Sequence, residues 1–221
     1  EGIRDMLHAV SFFPGTADYL LNTYTEVTKE GKLSDLLVGY LDPTDHVPQA
    51  AQVQPGAPAA KDDDDEDEQE KGPDPVEAKR RFTLLKRNFN KANKVVADKG
   101  RTSKEGKNQL DKLAEVFSPF KLVPRHFDEL VDMPRMALFV LRRQERIIMN
   151  VCMRQARMPR DIFRKEYVGS ETSIAWVNKH IKANKDYSKA LGAQKDEIVR
   201  AQKKLKALVK DTGLSVSEIK D

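Results

Sequence analysis

PRMALFVLRRQERIIMNVCMRQAR, residues 134–157, carries the longest unbroken helical pattern in the chain. Met136, Phe139, Val140, Ile147, Ile148, Val151 and Cys152 recur at helical spacing and predict one apolar stripe, while Arg142, Arg146, Arg154 and Arg157 point elsewhere. Pro159 closes the pattern. No segment of the chain alternates with period two for long enough to be a strand. The expected class is therefore all-α: an irregular multi-helix bundle, interrupted by one disordered acidic linker.

Downstream, Asp161 is the expected cap of a short helix with Ile162 and Phe163, and Gly169-Ser170 opens another containing Trp176, Val177 and Ile181. Trp176 is expected in the core. A last long helix over 187–210 buries Ile198, Ala201, Leu205 and Leu208. Thr212-Gly213 ends it, and Ser215-Val216-Ser217-Glu218 is a capping box that starts a new helix just before the sequence stops. Ile3, Met6, Leu7 and Val10 likewise begin a helical face with no cap ahead of them. Both ends falling inside elements suggest a piece of a longer protein.

Upstream of the deciding stretch the pattern is more broken. Pro14-Gly15 separates the first helix from a second with Leu20, Leu21, Tyr24 and Val27, which Gly31 ends; Ser34 then caps an expected short helix with Leu36, Leu37, Tyr40 and Leu41. Periodicity disappears from residue 43 to residue 75, where prolines alternate with Ala, Gln and Gly before an acidic run. Asp74-Pro75 signals a helix start, with Phe82, Leu85, Phe89 and Val96 on one face. A further helix is expected from Lys104 to Phe120, and a short turn from Pro124 with Phe127, Leu130 and Val131. The organisation read from this is a helical segment at 1–42, a linker at 43–78 and a helical body at 79–221. Neither helical part has enough apolar surface alone, so residues 1–42 are expected to pack on the C-terminal helices of the body.

Charge narrows the function classes. Of 221 residues, 33% are charged and 39% hydrophobic, so the core is modest and the helices are wet on one face. Residues 61–77 hold ten acidic side chains against Lys61 and Lys71, a net of −8 that leaves +12 on the rest of a chain of formal net charge +4. A basic body beside an acidic block suits work next to nucleic acid, although charge also serves solubility. The acidic run reads as a solvated spacer; it lacks the glycine and the distal glutamate of an EF-hand. No run of about 18 apolar residues exists to span a bilayer. A single cysteine, Cys152, suits a reducing cytoplasm.

Catalytic chemistry finds little support. His8, His46, His126 and His180 are far apart, and none has neighbours that would complete a metal set. Cys152 lies on the apolar stripe and reads as a structural thiol. No phosphate-cradling glycine loop or nucleophile elbow occurs. No enzyme activity, cofactor or metal is expected. Three basic clusters remain: Lys79, Arg80, Arg81, Lys86 and Arg87; Arg142, Arg143 and Arg146; and Lys203, Lys204 and Lys206. Each could neutralise phosphates or simply be a solvated face. Aromatics do not interleave with them, which argues against a single-strand stacking platform.

Several stretches resemble the bacterial primary sigma factors of the sigma-70 family. They are Glu1-Gly2-Ile3 with Pro14 and Tyr19-Leu20-Leu21; Leu33-Ser34-Asp35-Leu36-Leu37 through Gly39-Tyr40-Leu41-Asp42-Pro43; and Phe120-Lys121-Leu122-Val123-Pro124 with Phe127 and Leu130-Val131. The most specific are Gln144-Glu145-Arg146-Ile147-Ile148-Met149, Gly169-Ser170-Glu171-Thr172-Ser173 before Trp176, and Thr212-Gly213-Leu214 to Lys220-Asp221. The resemblance implies a segment from the last helix of conserved region 1.2, through the variable insert, to the start of region 2.1. It implies a parent protein that binds core RNA polymerase, directs it to promoters and helps melt the −10 element. It further implies an insert that packs on the β′ subunit, influences promoter escape and lies near DNA just upstream of that element. Lys32, the basic residue before Leu-Ser-Asp, carries over as a candidate phosphate contact, one that positions rather than specifies. The rival reading, from the residues alone, is an autonomous basic helical nucleic-acid binder.

Overall fold

The computed structural model describes residues 2–41 and 73–220. Residues 42–72, which hold most of the acidic run and of the linker expected at 43–78, lie outside the described residues. The described residues form two compact units, within residues 1–130 and 131–221.

The first unit begins with α1 (Gly2–Ser11) and α2 (Thr16–Glu30). Gly15 and Gly31, at φ 94° and 70°, flank α2 in the left-handed region that side chains with a Cβ disfavour. The short helix expected after Ser34 is instead a 3-10 turn, Leu33–Asp35, leading into strand β1, Leu37–Tyr40. The reason is non-local: β1 pairs antiparallel with β2, Phe120–Leu122, and burial of Leu36 and Leu37 settles the segment against helical propensity. The sheet has two strands, small enough to leave the all-α class intact.

Helix α3 (Pro75–Lys99) starts ahead of the body boundary placed at residue 79. Asp74 is its N-cap, accepting from the Val76 amide at 2.9 Å, and Pro75 stands where no amide is needed. Helix α4 (Lys104–Phe117), capped by Ser103, ends before Phe120 because that residue enters β2. Within this unit α1 packs on α4, and α2 on α3. The partners of the N-terminal segment within this unit include α3, α4, β2 and the residues just after β2, where His126 meets the Tyr19 hydroxyl. Phe82 sits at the centre, stacked on Tyr24 with centroids 3.7 Å apart and tilted against Phe120 at 4.7 Å. Phe82, Phe117 and Phe120 are almost wholly buried. Each contributes on the order of 2–3 kcal/mol through lost apolar exposure.

Helix α5 (Pro124–Met149) is continuous, so the expected break at Pro134 is absent. A six-residue π-helical segment, Asn150–Gln155, follows it directly. Within the second unit come α6 (Arg160–Tyr167), α7 (Ile174–Lys182), α8 (Ser188–Ala193), α9 (Lys195–Thr212) and α10 (Val216–Lys220). Pro159 rather than Asp161 caps α6, leaving Asp161 in its first turn. The expected helix over 187–210 is broken at Gln194 into α8 and α9. Trp176 is 5% exposed and sits among Phe163, Tyr167 and His180. The capping box forms as read: Ser215 Oγ accepts from the Glu218 amide at 3.3 Å, and Glu218 accepts from the Ser215 amide at 2.8 Å.

Candidate interaction surface

The stripe expected over 134–157 is only half right. The buried line runs through Ala137, Leu141, Gln144, Ile148, Val151 and Cys152, spaced by four, three, four, three and one, which follows the helical period more closely. Met136 and Phe139 stand beside it, 57% and 58% exposed. Sequence reading missed this because Ala137 and Gln144 are poor apolar markers, while Met136 and Phe139 are strong ones. The outer face of α5 therefore mixes arginines with large apolar side chains.

Among the described residues that sequence reading singled out, the candidate reactive groups lie apart from one another. Cys152 is fully buried, and burial pushes its thiol up to about 12, so no thiolate forms near neutral pH. His8 packs edge-on against Phe12, His126 hydrogen-bonds the Tyr19 hydroxyl at 2.7 Å, and His180 lies in the core of the second unit. His46 lies outside the described residues. Among the described residues no three His, Cys, Asp or Glu side chains gather as metal ligands would.

Lys32 directly follows Gly31, at the turn between α2 and β1. Its Nζ lies 3.3 Å from Glu30 Oε2, and its side chain is 61% exposed. Such a pair contributes little to stability and leaves the ammonium available to solvent or another anion.

The basic clusters differ in kind. On α3, Arg80 and Arg81 reach back to Glu77 at 2.8 and 2.6 Å, and their guanidiniums hold its carboxyl down at about 2. Arg81 also lies over the Tyr40 ring, 4.2 Å from its centroid. Beyond them Lys79, Lys86, Arg87, Lys91 and Lys94 are exposed along a helix with no acidic residue between 78 and 97. On α9, Lys203, Lys204 and Lys206 are exposed, while Ala201, Gln202 and Leu205 face inward.

Stretches read as motifs, though distant in the chain, meet in space. Leu37 and Tyr40 pair with Leu122 and Phe120 across the two strands. Glu145, in the motif beginning at Gln144, accepts from Lys220 Nζ at 2.7 Å. Ser173, at the end of the loop that opens with Gly169, accepts from the buried Gln202 at 2.9 Å. None of these partners is deducible from sequence spacing.

Together these features describe a charged, helical module. A family model described as "Sigma-70, non-essential region" matches residues 13–208, and the chain belongs to that family. Among the curated relatives is the RNA polymerase sigma factor RpoD of Neisseria gonorrhoeae, 26% identical over 111 residues. That match takes in 50% of this chain and 17% of the relative's length, so the chain spans a small part of the protein it resembles. Among the described residues, no helix is long and apolar enough to cross a membrane.

Proposed function

We propose that this chain serves, within a primary sigma factor, as a non-catalytic contact module of transcription initiation in the cytoplasm. The parent protein binds core RNA polymerase and directs it to promoters. This segment touches the β′ subunit, lies near DNA upstream of the −10 element and needs no cofactor. Lys32 is the proposed phosphate contact there. The carrying observation is the family match over residues 13–208. Its support is local: the motifs that suggested the family are joined by β1–β2 pairing and by the Glu145–Lys220 contact.

A second reading, an autonomous nucleic-acid binder, is favoured by one feature: the acid-free cationic ridge of α3. Salt separates the two. The purified chain is titrated against core RNA polymerase and, in parallel, against duplex DNA over a salt series. Polymerase binding with little DNA affinity supports the contact module. Tight DNA binding that falls steeply with salt, without polymerase binding, supports the second reading and overturns the first.

A further inference from the structure

The exposed side of α5 and the π segment after it carry a trough made of two hollows that share Arg146, lined by arginine and large apolar side chains. Arg135, Phe139, Arg142, Arg143 and Arg146 line a hollow of about 620 Å³. Arg146 also borders a second hollow, of about 550 Å³, with Met149, Asn150, Met153 and Arg154 along it and Glu197 at its rim. Met149 is 44% exposed. From Arg135 to Met149 the face runs about 21 Å, at 1.5 Å per residue.

Three observations mark this face as a docking surface for protein. Its composition is the first. Arginine, methionine and phenylalanine are the residues enriched in protein interfaces, and lysine, which is depleted there, does not line either hollow although it dominates the exposed cations of α3 and α9. Uncompensated charge is the second. Among the described residues Arg142, Arg143, Arg146 and Arg154 have no ion-pair partner, and Arg135 has only Asp132 at 3.7 Å. The third is backbone cost. A six-residue π segment is unfavourable for ordinary residues, and its Asn150, Met153 and Arg154 line the second hollow.

We infer that the trough receives an acidic amphipathic helix from a partner protein. An apolar ridge on that helix would fill the hollows beside Phe139 and Met149. Carboxylates flanking the ridge would meet the arginines, whose planar forks bind carboxylate in pairs of hydrogen bonds. A nucleic-acid backbone satisfies the guanidiniums equally well but offers nothing to Phe139 and Met149, which line the two hollows. Charge together with apolar exposure therefore selects the acidic helix over the phosphate chain.

The test does not depend on the polymerase reading. The full chain is titrated by fluorescence anisotropy with a synthetic helix of about four turns that has leucine at helical spacing, flanked by glutamate. A scrambled peptide of the same composition and a duplex DNA are the comparisons. Expected is binding of the amphipathic helix at least tenfold tighter than the scramble. The double variant F139S/M149S and the double variant R142E/R143E should each weaken it tenfold or more while leaving the thermal melt unchanged, since all four side chains face solvent. Equal binding of helix and scramble, or no binding of the helix, overturns the inference. So does preferential DNA binding that is lost in R142E/R143E but unchanged in F139S/M149S, which assigns the face to phosphates.

Discussion

Gln202 Nε2 donates to the Ser173 carbonyl at 2.9 Å, so a fully buried amide on α9 closes the loop that leads into α7. Replacing it with methionine keeps most of the volume and removes the donor, leaving the carbonyl with the Trp176 amide, at 3.2 Å, as its partner. The expected cost is about 0.5–1.5 kcal/mol. Gln202→Ala should cost more, because it adds a cavity. Urea unfolding measures both: a lower midpoint at unchanged slope is the expected result. A methionine variant as stable as the parent would mean that the bond contributes nothing.

Gly106, in the first turn of α4, shows why the α3–α4 corner has little freedom. A Cβ built there would lie 2.4 Å from the Gly100 carbonyl oxygen and 3.0 Å from that of Arg101, and both are backbone atoms. Gly106→Ala is therefore expected to cost about 1–3 kcal/mol, despite alanine's better helix propensity. Gly2→Ala, where nothing lies within 4 Å, is the control and should leave the melt unchanged or slightly raised. In a chain of this size each kcal/mol moves Tm by roughly 2–4 °C. An alanine at 106 that melts with the parent would show that the corner relaxes.

The helices were legible because their signals are local. Asp74-Pro75 and the box from Ser215 to Glu218 declare helix starts through atoms a few residues apart, and each forms as read. β1 was not legible: Leu36 and Leu37 sit at spacings that suit a helix, and only Phe120 and Leu122, far along the chain, make them a strand edge. Gln194 splits α8 from α9 without the Gly or Pro that would advertise the break. The interaction face was hidden differently. Size and hydrophobicity assigned Met136 and Phe139 inward, whereas the helical period runs through the small Ala137 and the polar Gln144. Lys32 was placed by resemblance, and its exposed setting beside Glu30 follows from the left-handed turn at Gly31.

Arg157 occupies a conformation usually left to glycine, with φ 58°, where the π segment ends and the Met158 amide donates to the Cys152 carbonyl at 2.9 Å. For a residue with a Cβ this costs about 1–2 kcal/mol. Arg157→Gly should therefore raise stability by up to about 1 kcal/mol, since glycine recovers the strain but loses some through a freer unfolded chain. A higher urea midpoint is the expected outcome. A lower one would mean that the arginine side chain makes a contact worth more than the strain.

His180 is 3% exposed, with its ring against Trp176 at 4.9 Å and its Nδ1 3.3 Å from the Tyr187 hydroxyl. Burial is the largest influence and favours the neutral ring; Glu166, 3.4 Å from Nε2, opposes it, and Lys179 adds to burial. The net direction is down from the ordinary 6.5. Between the folded value and 6.5 the unfolded chain takes up a proton that the folded chain refuses. The contribution to stability is thus full above about pH 6.5 and is lost as pH falls toward the folded value. Glu77, Glu105, Glu129 and Glu166 are also lowered, but from 4.5, so their losses come at more acid pH and do not overlap the start of the histidine window. Urea unfolding stepped from about pH 8 to about pH 5 should show stability falling just below 6.5 in the parent. His180→Gln, although less stable throughout, should flatten that part of the curve. An unchanged slope in the variant would move the pH dependence to other groups and leave His180 as packing alone.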